Sequence, residues 1–262
     1  MEVVIKPDEA AVAAYVADAI VNVVASRPSP VLGLATGSSP RGVYAELVRR
    51  HAAGVVSFRE ARAFLLDEYI GLPEGHPESY RAFIETHFAG LVDIAAANVH
   101  DPGAGAVGAE IAAACVAYEA DISAAGGVDL QLLGIGADGH LGFNEPTSSL
   151  SSRTRVKTLT ERTRHDNARF FASIDEVPRH VITQGIGTIL DARHLVLIAT
   201  GDAKAEPIAR AVEGPLTSMC PASAIQLHRT ATVVIDEAAA ARLTLSDYYR
   251  TTFANKPSWQ TP

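Results

Sequence analysis

The sequence is poor in cysteine and in basic residues, and each shortage excludes a class of protein. Only two cysteines occur, Cys115 and Cys220, without CxxC spacing or a neighbouring histidine cluster, so neither a disulfide framework nor a zinc site is indicated. Lysine and arginine number 22 against 30 acidic residues, for a net charge of −8. Because phosphate-backbone affinity depends on clustered bases, we expect no nucleic-acid partner, although a local phosphate pocket stays open.

Two further absences concern location. No uninterrupted run approaches the roughly 18 apolar residues of a membrane-spanning helix. The N-terminal stretch MEVVIKPDEA carries acids where a secretion signal requires bases. We therefore expect a cytoplasmic protein without a membrane partner, in which both cysteines are reduced.

The chain is rich in short apolar runs that alternate with longer amphipathic segments. Apolar residues make up 48% of the sequence and aromatic residues only 6%, which suits helices packed closely on a sheet. The predicted strands are VLGLAT, ARAFLL, VDLQLLG, HLVLIAT and ATVVID. Helical patterns separate them, and a last helix is predicted from about Glu237. The alternation predicts one α/β domain over residues 1–262, an open, mostly parallel, Rossmann-like sheet with helices on both faces.

A polar region from Ser148 to Glu176 is the longest stretch without a strong apolar period. It is either a mobile lid or an ordinary solvated excursion, and the pattern does not decide between them. The predicted lid lies at about residues 158–182.

The turn after the strand VLGLAT is the first candidate binding element, because ligands of open parallel sheets sit beyond the carboxyl ends of the strands. Thr36, Gly37, Ser38 and Ser39 precede Pro40 at a predicted helix start. Free N–H groups and hydroxyls there favour an anion, so the turn is typical of a phosphate cradle. The alternative is a serine-capped helix that holds nothing. It is not a Walker loop, which would end in Gly-Lys-Ser/Thr.

A similar turn follows HLVLIAT, where Lys204 stands near a helix start. A lysine there opposes the helix dipole, and a bound anion would explain it. The alternative is a solvated lysine.

The segment FLLDEYIGLP ends a predicted strand with two acids, Asp67 and Glu68. Because side chains alternate along a strand, we expect at most one of them to face the crevice. A carboxylate in that place could take a proton from carbon. The alternative is a pair of ordinary surface acids.

The turn GIGADGHLGFNEP places His140 between Asp138 and Glu145 on a glycine-rich stretch. Glycines allow positive φ and close approach to a ligand. The carboxylates can orient the imidazole for proton exchange with sugar oxygens near neutral pH. A metal site is a weak alternative, because the turn offers only one histidine. A nucleophile triad is not indicated, because the sequence contains no Gly-x-Ser-x-Gly elbow. A purely structural turn stays open as the third alternative.

Taken together, these segments resemble glucosamine-6-phosphate deaminases (isomerising), from about residue 1 to residue 240. DEYIGLP and DGHLGFNEP are the specific motifs, whereas the Thr-Gly turns are shared with 6-phosphogluconolactonases and sugar-responsive regulators. The segments that carry the likeness are LGLATGSSPRGVY, FLLDEYIGLPEGHPESYRAFI, LLGIGADGHLGFNEPTSSLSSRTRVKTLT, ARFF, TQGIGTILDA and TGDAKA.

The resemblance implies conversion of glucosamine 6-phosphate and water to fructose 6-phosphate and ammonia, without cofactor or metal. Asp67 matches the base that moves a proton from C2 to C1, and His140 matches the group that opens the sugar ring. Asp138 and Glu145 match the acids that assist ring opening. The phosphate contacts would be Thr36, Gly37, Ser38, Ser39, Arg169 and Lys204.

Regulation is a further expectation from the same resemblance. Some relatives are homo-oligomers activated by N-acetylglucosamine 6-phosphate at a subunit contact. The matching allosteric positions here are Ser148, Arg155, Lys157 and Thr158. The alternative is that Arg155 and Lys157 lie on a solvated edge strand, and the tail DYYRTTFANKPSWQTP departs from the hexameric pattern.

Three rival functions stay open. A 6-phosphogluconolactonase would not need the acid of DEY to move a proton between carbons. A galactosamine-6-phosphate deaminase would keep much of the motif set and differ around the C4 hydroxyl. A non-catalytic sugar-phosphate sensor would usually carry a DNA-binding module, for which this sequence offers neither length nor basic surface.

Overall fold

A seven-stranded parallel sheet forms the centre of the protein. The structure is a computed structural model, and it describes residues 1–103, 105–257 and 260. Every neighbouring pair of strands runs parallel. The strands, in spatial order, are β1 (Glu2–Lys6), β10 (Ala231–Asp236), β9 (Leu195–Ala199), β6 (Leu130–Leu133), β2 (Val31–Leu34), β3 (Arg62–Leu65) and β5 (Val99–His100). All five predicted strands lie in this sheet. The prediction missed β1 and β5, which are its two edges.

Helices cover both faces of the sheet, which confirms the predicted fold class. They are α1 (Glu9–Ser26), α2 (Ser38–Ala52), α3 (Tyr80–His87), α4 (Glu110–Ala124), α5 (Glu161–Asn167), α6 (Ile186–Leu190), α7 (Ala205–Val212) and α8 (Ser246–Ala254). Residues of α1, α2 and α3 share one buried apolar cluster with alternate strand positions such as Leu32 and Leu132. Residues of α4, α6 and α7 share the other cluster with the intervening positions, such as Val31 and Leu133. The alternation of strand side chains thus builds two cores.

Helix α1 is the one described helix that is long and apolar enough, by length and composition alone, to span a membrane. In this fold one face of the helix, including Val16 and Ile20, is buried in the core cluster that α1 shares with α2. Its solvent side carries Asp18, which forms an ion pair with Arg50 of α2 at 2.6 Å. Helix α1 is therefore a core helix of the α/β domain.

The last helix begins later than predicted. Residues 237–245 form turns, and α8 starts at Ser246 instead of about Glu237. The carboxylate of Asp236 accepts the backbone N–H of Ala239 at 2.8 Å, and Glu213 accepts those of Thr244 and Leu245. These side chains bind the backbone groups that a helix would otherwise use.

A second, three-stranded antiparallel sheet lies beside the main one and was not predicted. It contains β4 (Asp67–Tyr69), β8 (His180–Thr183) and β7 (Arg155–Thr158), in that order. The chain passes from β3 to β4 through Leu66 alone, so Asp67 and Glu68 belong to this sheet and do not end a parallel strand. The predicted lid, residues 158–182, begins at the end of β7, contains α5 and two short 3₁₀ turns, and ends within β8.

Candidate active site

A cavity of about 880 Å³ opens at the carboxyl ends of the parallel strands. Turns after β2 and β6 line it, together with β4 and residues of the predicted lid. The predicted site residues that line it are Thr36, Gly37, Ser38, Ser39, Asp67, His140, Arg169 and Lys204. The fold therefore assembles segments more than 160 residues apart in sequence into one cavity, as expected for the strand ends of such a sheet.

The turn from Thr36 to Ser39 forms the start of α2 at one wall of the cavity. Gly37 adopts φ +107°, a conformation that favours glycine, and the helix begins at Ser38. No side chain caps this helix start, and its first turn contains no acid. The structure therefore does not show the alternative of a serine-capped helix. The partial positive charge of the N-terminus of α2 faces the cavity, where an anion can bind.

Lys204 and Arg169 bring two positive charges to the same cavity. The Lys204 ammonium donates to the backbone oxygen of Ile135 at 2.7 Å, which fixes it against the turn after β6. Burial, and then the charge of Arg169, lowers the pKa of Lys204, while Asp138 acts in the opposite direction. A bound phosphate would relieve the repulsion between the two cations, so their placement suits a dianion.

Asp67 is the buried acid of this cavity. Its side chain is only 4% exposed, and Gly142 approaches it so closely that a Cβ there would lie 3.0 Å from Oδ2. Burial, and then the negative charge of Glu68, raises the pKa of Asp67 well above its usual range. A carboxyl with raised proton affinity is suited to take and return a proton. Glu68 does not line the cavity, in agreement with the expectation that only one of the two acids faces it.

His140 is oriented by Asp138. Its Nδ1 lies 2.7 Å from Oδ1 of Asp138, and its backbone N–H donates to the same oxygen at 3.1 Å. The hydrogen bond from the His140 side chain lowers the pKa of Asp138 to about 2, so Asp138 is ionised at neutral pH. With Nδ1 directed to Asp138, Nε2 is the ring nitrogen left for a substrate oxygen.

Two glycines of the turn make room for this arrangement. A Cβ on Gly136 would lie 2.1 Å from Cε1 of His140, and a Cβ on Gly139 would lie 2.5 Å from Sγ of Cys220. Gly139 also has φ +90°. The glycine richness of this stretch is therefore a packing requirement of the imidazole and of the segment at Cys220.

Glu145 has different partners from those expected. Its Oε1 accepts the hydroxyls of Thr160, at 3.2 Å, and of Thr163, so the carboxylate is bound to the start of α5. Thr160 is also the N-cap of that helix. Among the described contacts, the histidine is thus oriented by Asp138, and Glu145 connects the turn to the predicted lid.

An aromatic wall closes one side of the cavity, and sequence reasoning missed it. The rings of Tyr69 and Tyr80 are 4.9 Å apart, and those of Tyr80 and Phe143 are stacked at 6.0 Å. Phe171 meets Tyr69 edge-on at 5.8 Å, and Asn167 of α5 donates to the Tyr69 hydroxyl at 2.9 Å. These residues come from four separate segments, so no local pattern indicates that they meet.

The four predicted allosteric residues lie outside the cavity lining. Arg155 and Lys157 stand on the edge strand β7, but both are half-buried and so are not fully solvated as the alternative interpretation had it. Ser148 is buried, and its hydroxyl has no hydrogen-bond partner within the part of the chain that the structure describes. Thr158 Oγ1 lies 3.3 Å from Nδ1 of His180. An activator site at these positions stays a prediction.

Within residues 1–103, 105–257 and 260, no group of three or more His, Cys, Asp or Glu side chains is arranged to hold a metal ion.

Comparison with known proteins gives a family match and many close relatives. The family model described as glucosamine-6-phosphate isomerases/6-phosphogluconolactonase matches residues 8–234. The chain is 58% identical over 260 residues to the glucosamine-6-phosphate deaminase of Pseudarthrobacter chlorophenolicus, covering 99% of each chain. It is 57% identical over 261 residues to that of Mycolicibacterium smegmatis, again covering 99% of each.

Solved structures agree with these relatives. A monomeric glucosamine-6-phosphate deaminase superposes with a TM-score of 0.89 at 39% identity, over 92% of this chain and 100% of that one. A 6-phosphogluconolactonase from Trypanosoma cruzi superposes with a TM-score of 0.74 at 20% identity, over 93% of this chain and 97% of that one. The second likeness supports the fold alone.

Proposed function

The chain belongs to the family of glucosamine-6-phosphate isomerases and 6-phosphogluconolactonases, and on this premise we propose that it deaminates glucosamine 6-phosphate to fructose 6-phosphate and ammonia. The observation that carries the proposal is the pairing, in one cavity, of a buried Asp67 with an imidazole oriented by Asp138. Relatives at 58% identity over nearly the whole chain are deaminases, which favours this reaction over the lactonase reaction of the same fold.

The binding step assigns the phosphate to the positive end of the cavity. The N-terminus of α2, Arg169 and Lys204 would hold it, and the sugar then extends toward Asp67 and His140. His140, through Nε2, transfers a proton to the ring oxygen as the bond between C1 and that oxygen breaks, and the C1 hydroxyl gives its proton to solvent to form the aldehyde. Asp138 holds the imidazole in the orientation that this transfer requires.

The isomerisation step assigns proton transfer between carbons to Asp67. The carboxylate removes the C2 proton, which is acidic because C2 is next to the aldehyde, and the electron pair forms the C1=C2 bond of an enolamine as the aldehyde oxygen gains a proton. The same carboxyl then returns its proton to C1, which leaves an iminium at C2. Water adds to C2 and ammonia leaves, giving the ketose.

Each of these steps is a proton transfer or an addition of water. No electrons pass to an external acceptor, because the aldehyde carbon is reduced as the amine-bearing carbon is oxidised. We therefore propose cofactor-independent hydrolysis of a C–N bond. Location in the cytoplasm is part of the same proposal.

An ammonia-release assay tests the function. We expect turnover with glucosamine 6-phosphate, weak or no turnover with its C4 epimer galactosamine 6-phosphate, and no hydrolysis of 6-phosphogluconolactone. A higher kcat/KM for the epimer, or lactone hydrolysis without ammonia release, would assign the cavity to the corresponding rival.

Regulation is a separate proposal, with Ser148, Arg155, Lys157 and Thr158 as the activator site in a homo-oligomer. Sedimentation would measure the subunit number, and substrate saturation with and without N-acetylglucosamine 6-phosphate would measure activation. A monomer with hyperbolic saturation in both conditions would contradict it.

A further inference from the structure

Glu68 is a buried carboxylate beside the proposed base that no step of the reaction uses. Its side chain is 3% exposed and, by strand alternation, points away from the cavity that Asp67 lines. An ionised carboxylate is costly to bury unless its charge is compensated by hydrogen bonds. The question is therefore which groups compensate the charge of Glu68.

Three backbone N–H groups converge on this carboxylate. Oε1 accepts those of Tyr69 at 2.8 Å and Tyr80 at 2.9 Å, and Oε2 accepts that of Arg81 at 2.8 Å. Tyr80 and Arg81 are the first two residues of α3, whose N–H groups have no partner within the helix. The next N–H, of Ala82, is accepted by the hydroxyl of the N-cap Ser79. A side chain of β4 thus completes the cap of α3 through charge-assisted hydrogen bonds.

This cap fixes the aromatic wall next to the base. Tyr80, held by Glu68 through its backbone, packs its ring against Tyr69 and stacks it on Phe143, and all three rings line the cavity. Asp67 lies on the same short strand as Glu68 and Tyr69. A movement of α3 away from β4 would therefore open the wall beside Asp67 and admit water.

Glu68 is also the nearest like charge to the base along the chain. The titratable side chains around Asp67 are Glu68 and Tyr69 of β4, Tyr80 of α3, Tyr118 of α4 and His140 of the loop after β6. Burial raises the pKa of Glu68, the negative charge of Asp101 adds to this, and the three N–H groups oppose it. Since those hydrogen bonds favour the ionised form, two consecutive residues of β4 carry negative charges when Asp67 is also ionised.

We propose that Glu68 is a positioning residue for the reaction: it holds α3 and the aromatic wall in place around Asp67, and it places a second negative charge next to Asp67 on the same strand. The inference rests on the proposed function, because a base that carries a proton from C2 to C1 benefits from a raised affinity for that proton.

The pH profile of kcat/KM separates the charge of Glu68 from its hydrogen bonds. Glu68→Gln removes the charge at nearly constant shape, so we expect the acid limb to move to lower pH and kcat to fall as the cap weakens. Glu68→Asp keeps the charge at a shorter reach, so we expect an unmoved acid limb and a kcat reduced about fivefold or more, as for the loss of one hydrogen bond. The control Glu85→Gln removes a charge on α3 that pairs with Arg81 outside the cavity, and we expect wild-type kinetics.

An acid limb of Glu68→Gln that coincides with that of the wild type would overturn the electrostatic part. Wild-type kcat in Glu68→Asp would overturn the positioning part. If Glu68→Gln does not fold, Glu68→Asp still decides the positioning part.

A thermal-denaturation cycle tests the same interaction without any substrate. At about pH 8 we expect Asp67→Asn to raise Tm more in the wild-type background than in the Glu68→Gln background. Only the wild-type background contains the repulsion between the Asp67 and Glu68 charges that Asp67→Asn removes. Equal increases would contradict the inference. Since no enzymatic activity enters this measurement, a failure here is distinct from a failure of the proposed deaminase function.

Discussion

Asp67 owes its properties at the residue scale to its position on β4. It is almost fully buried, yet it lines the cavity, so its proton affinity is raised while its oxygens stay within reach of a substrate. The ordinary value of 3.8 for an aspartate would leave a weaker base. Activity should therefore fall toward acid pH with a midpoint well above that value, because the base must be ionised to act.

Asp67→Asn should abolish this chemistry and stabilise the fold. We expect ammonia release to fall by at least about 10²–10⁴-fold while sugar-phosphate binding, measured by calorimetry, persists. Because the pKa of Asp67 is raised in the folded state, stability of the wild type falls as pH rises from the unfolded value through the folded one. The variant should thus gain Tm near neutral pH and lose that gain near pH 4. Near-normal turnover would refute the assignment of the base.

The clearance around His140 gives a second prediction at this scale. Gly136→Ala would place a methyl group within the space of the imidazole, so the ring must move and its contact with Asp138 is lost. A displacement of about 1 Å at a catalytic group can cost about 100-fold in rate, and we expect a loss of that size in kcat at unchanged circular dichroism. Gly42→Ala is the matched control, because its methyl would meet Ala13 at an ordinary 3.4 Å, away from the cavity. Equal activities of the two variants would contradict the prediction.

At the scale of elements, α5 and the 3₁₀ turn that follows it are the parts of the predicted lid that line the cavity. Its start is bound to Glu145 through Thr160 and Thr163, and its end is bound to the aromatic wall through Asn167 and Tyr69. Buried Arg164 donates to the backbone oxygens of Ile174 and Val177, which joins α5 to the following turn. If the segment closes over substrate, the hydrogen bonds of Arg164 make α5 and that turn move together.

Asn167→Ala tests whether α5 helps to retain substrate. Loss of its hydrogen bond to Tyr69 should raise KM about fivefold, as expected for about 1 kcal/mol, with a smaller change in kcat. The control is Asn255→Ala, which removes an amide hydrogen bond at the C-terminal end of α8. Unchanged KM in Asn167→Ala would show that this end of α5 does not contribute to binding.

At the scale of the whole molecule, stability depends on two apolar clusters on opposite faces of one sheet. Strands β6 and β9 lie near the middle of the strand order and contribute side chains to both clusters. The antiparallel sheet and the cavity lie to one side of this core. Most residues of the two clusters do not line the cavity.

Leu132→Ala tests whether the stability of the core can be lowered without changing the activity of the site. Leu132 is fully buried on β6, and its truncation should lower the free energy of unfolding by about 2–5 kcal/mol in urea denaturation. Val156→Ala, at an exposed position of β7, should change it by less than about 0.5 kcal/mol. At a temperature where both variants are folded, we expect kcat of Leu132→Ala to stay within about twofold of the wild type. A small stability loss in Leu132→Ala would contradict the description of the core.

The amino-acid sequence by itself determined the parallel α/β fold and the motif of the site. Strand and helix periodicity is a local property, so the five inner strands could be predicted, and strand alternation separated the directions of Asp67 and Glu68. The pairing of Asp138 with His140 could also be predicted, because the two residues are neighbours on one turn.

Only the tertiary structure decided the partners that come from distant segments. The antiparallel sheet that contains Asp67, the aromatic wall and the attachment of Glu145 to α5 depend on contacts between residues far apart in sequence, about which a local pattern carries no information. The same holds for the turns that delay α8, because the carboxylate of Glu213 reaches them across 31 or more residues. Buried polar groups must find hydrogen-bond partners wherever the packed chain supplies them, and that supply exists only after folding.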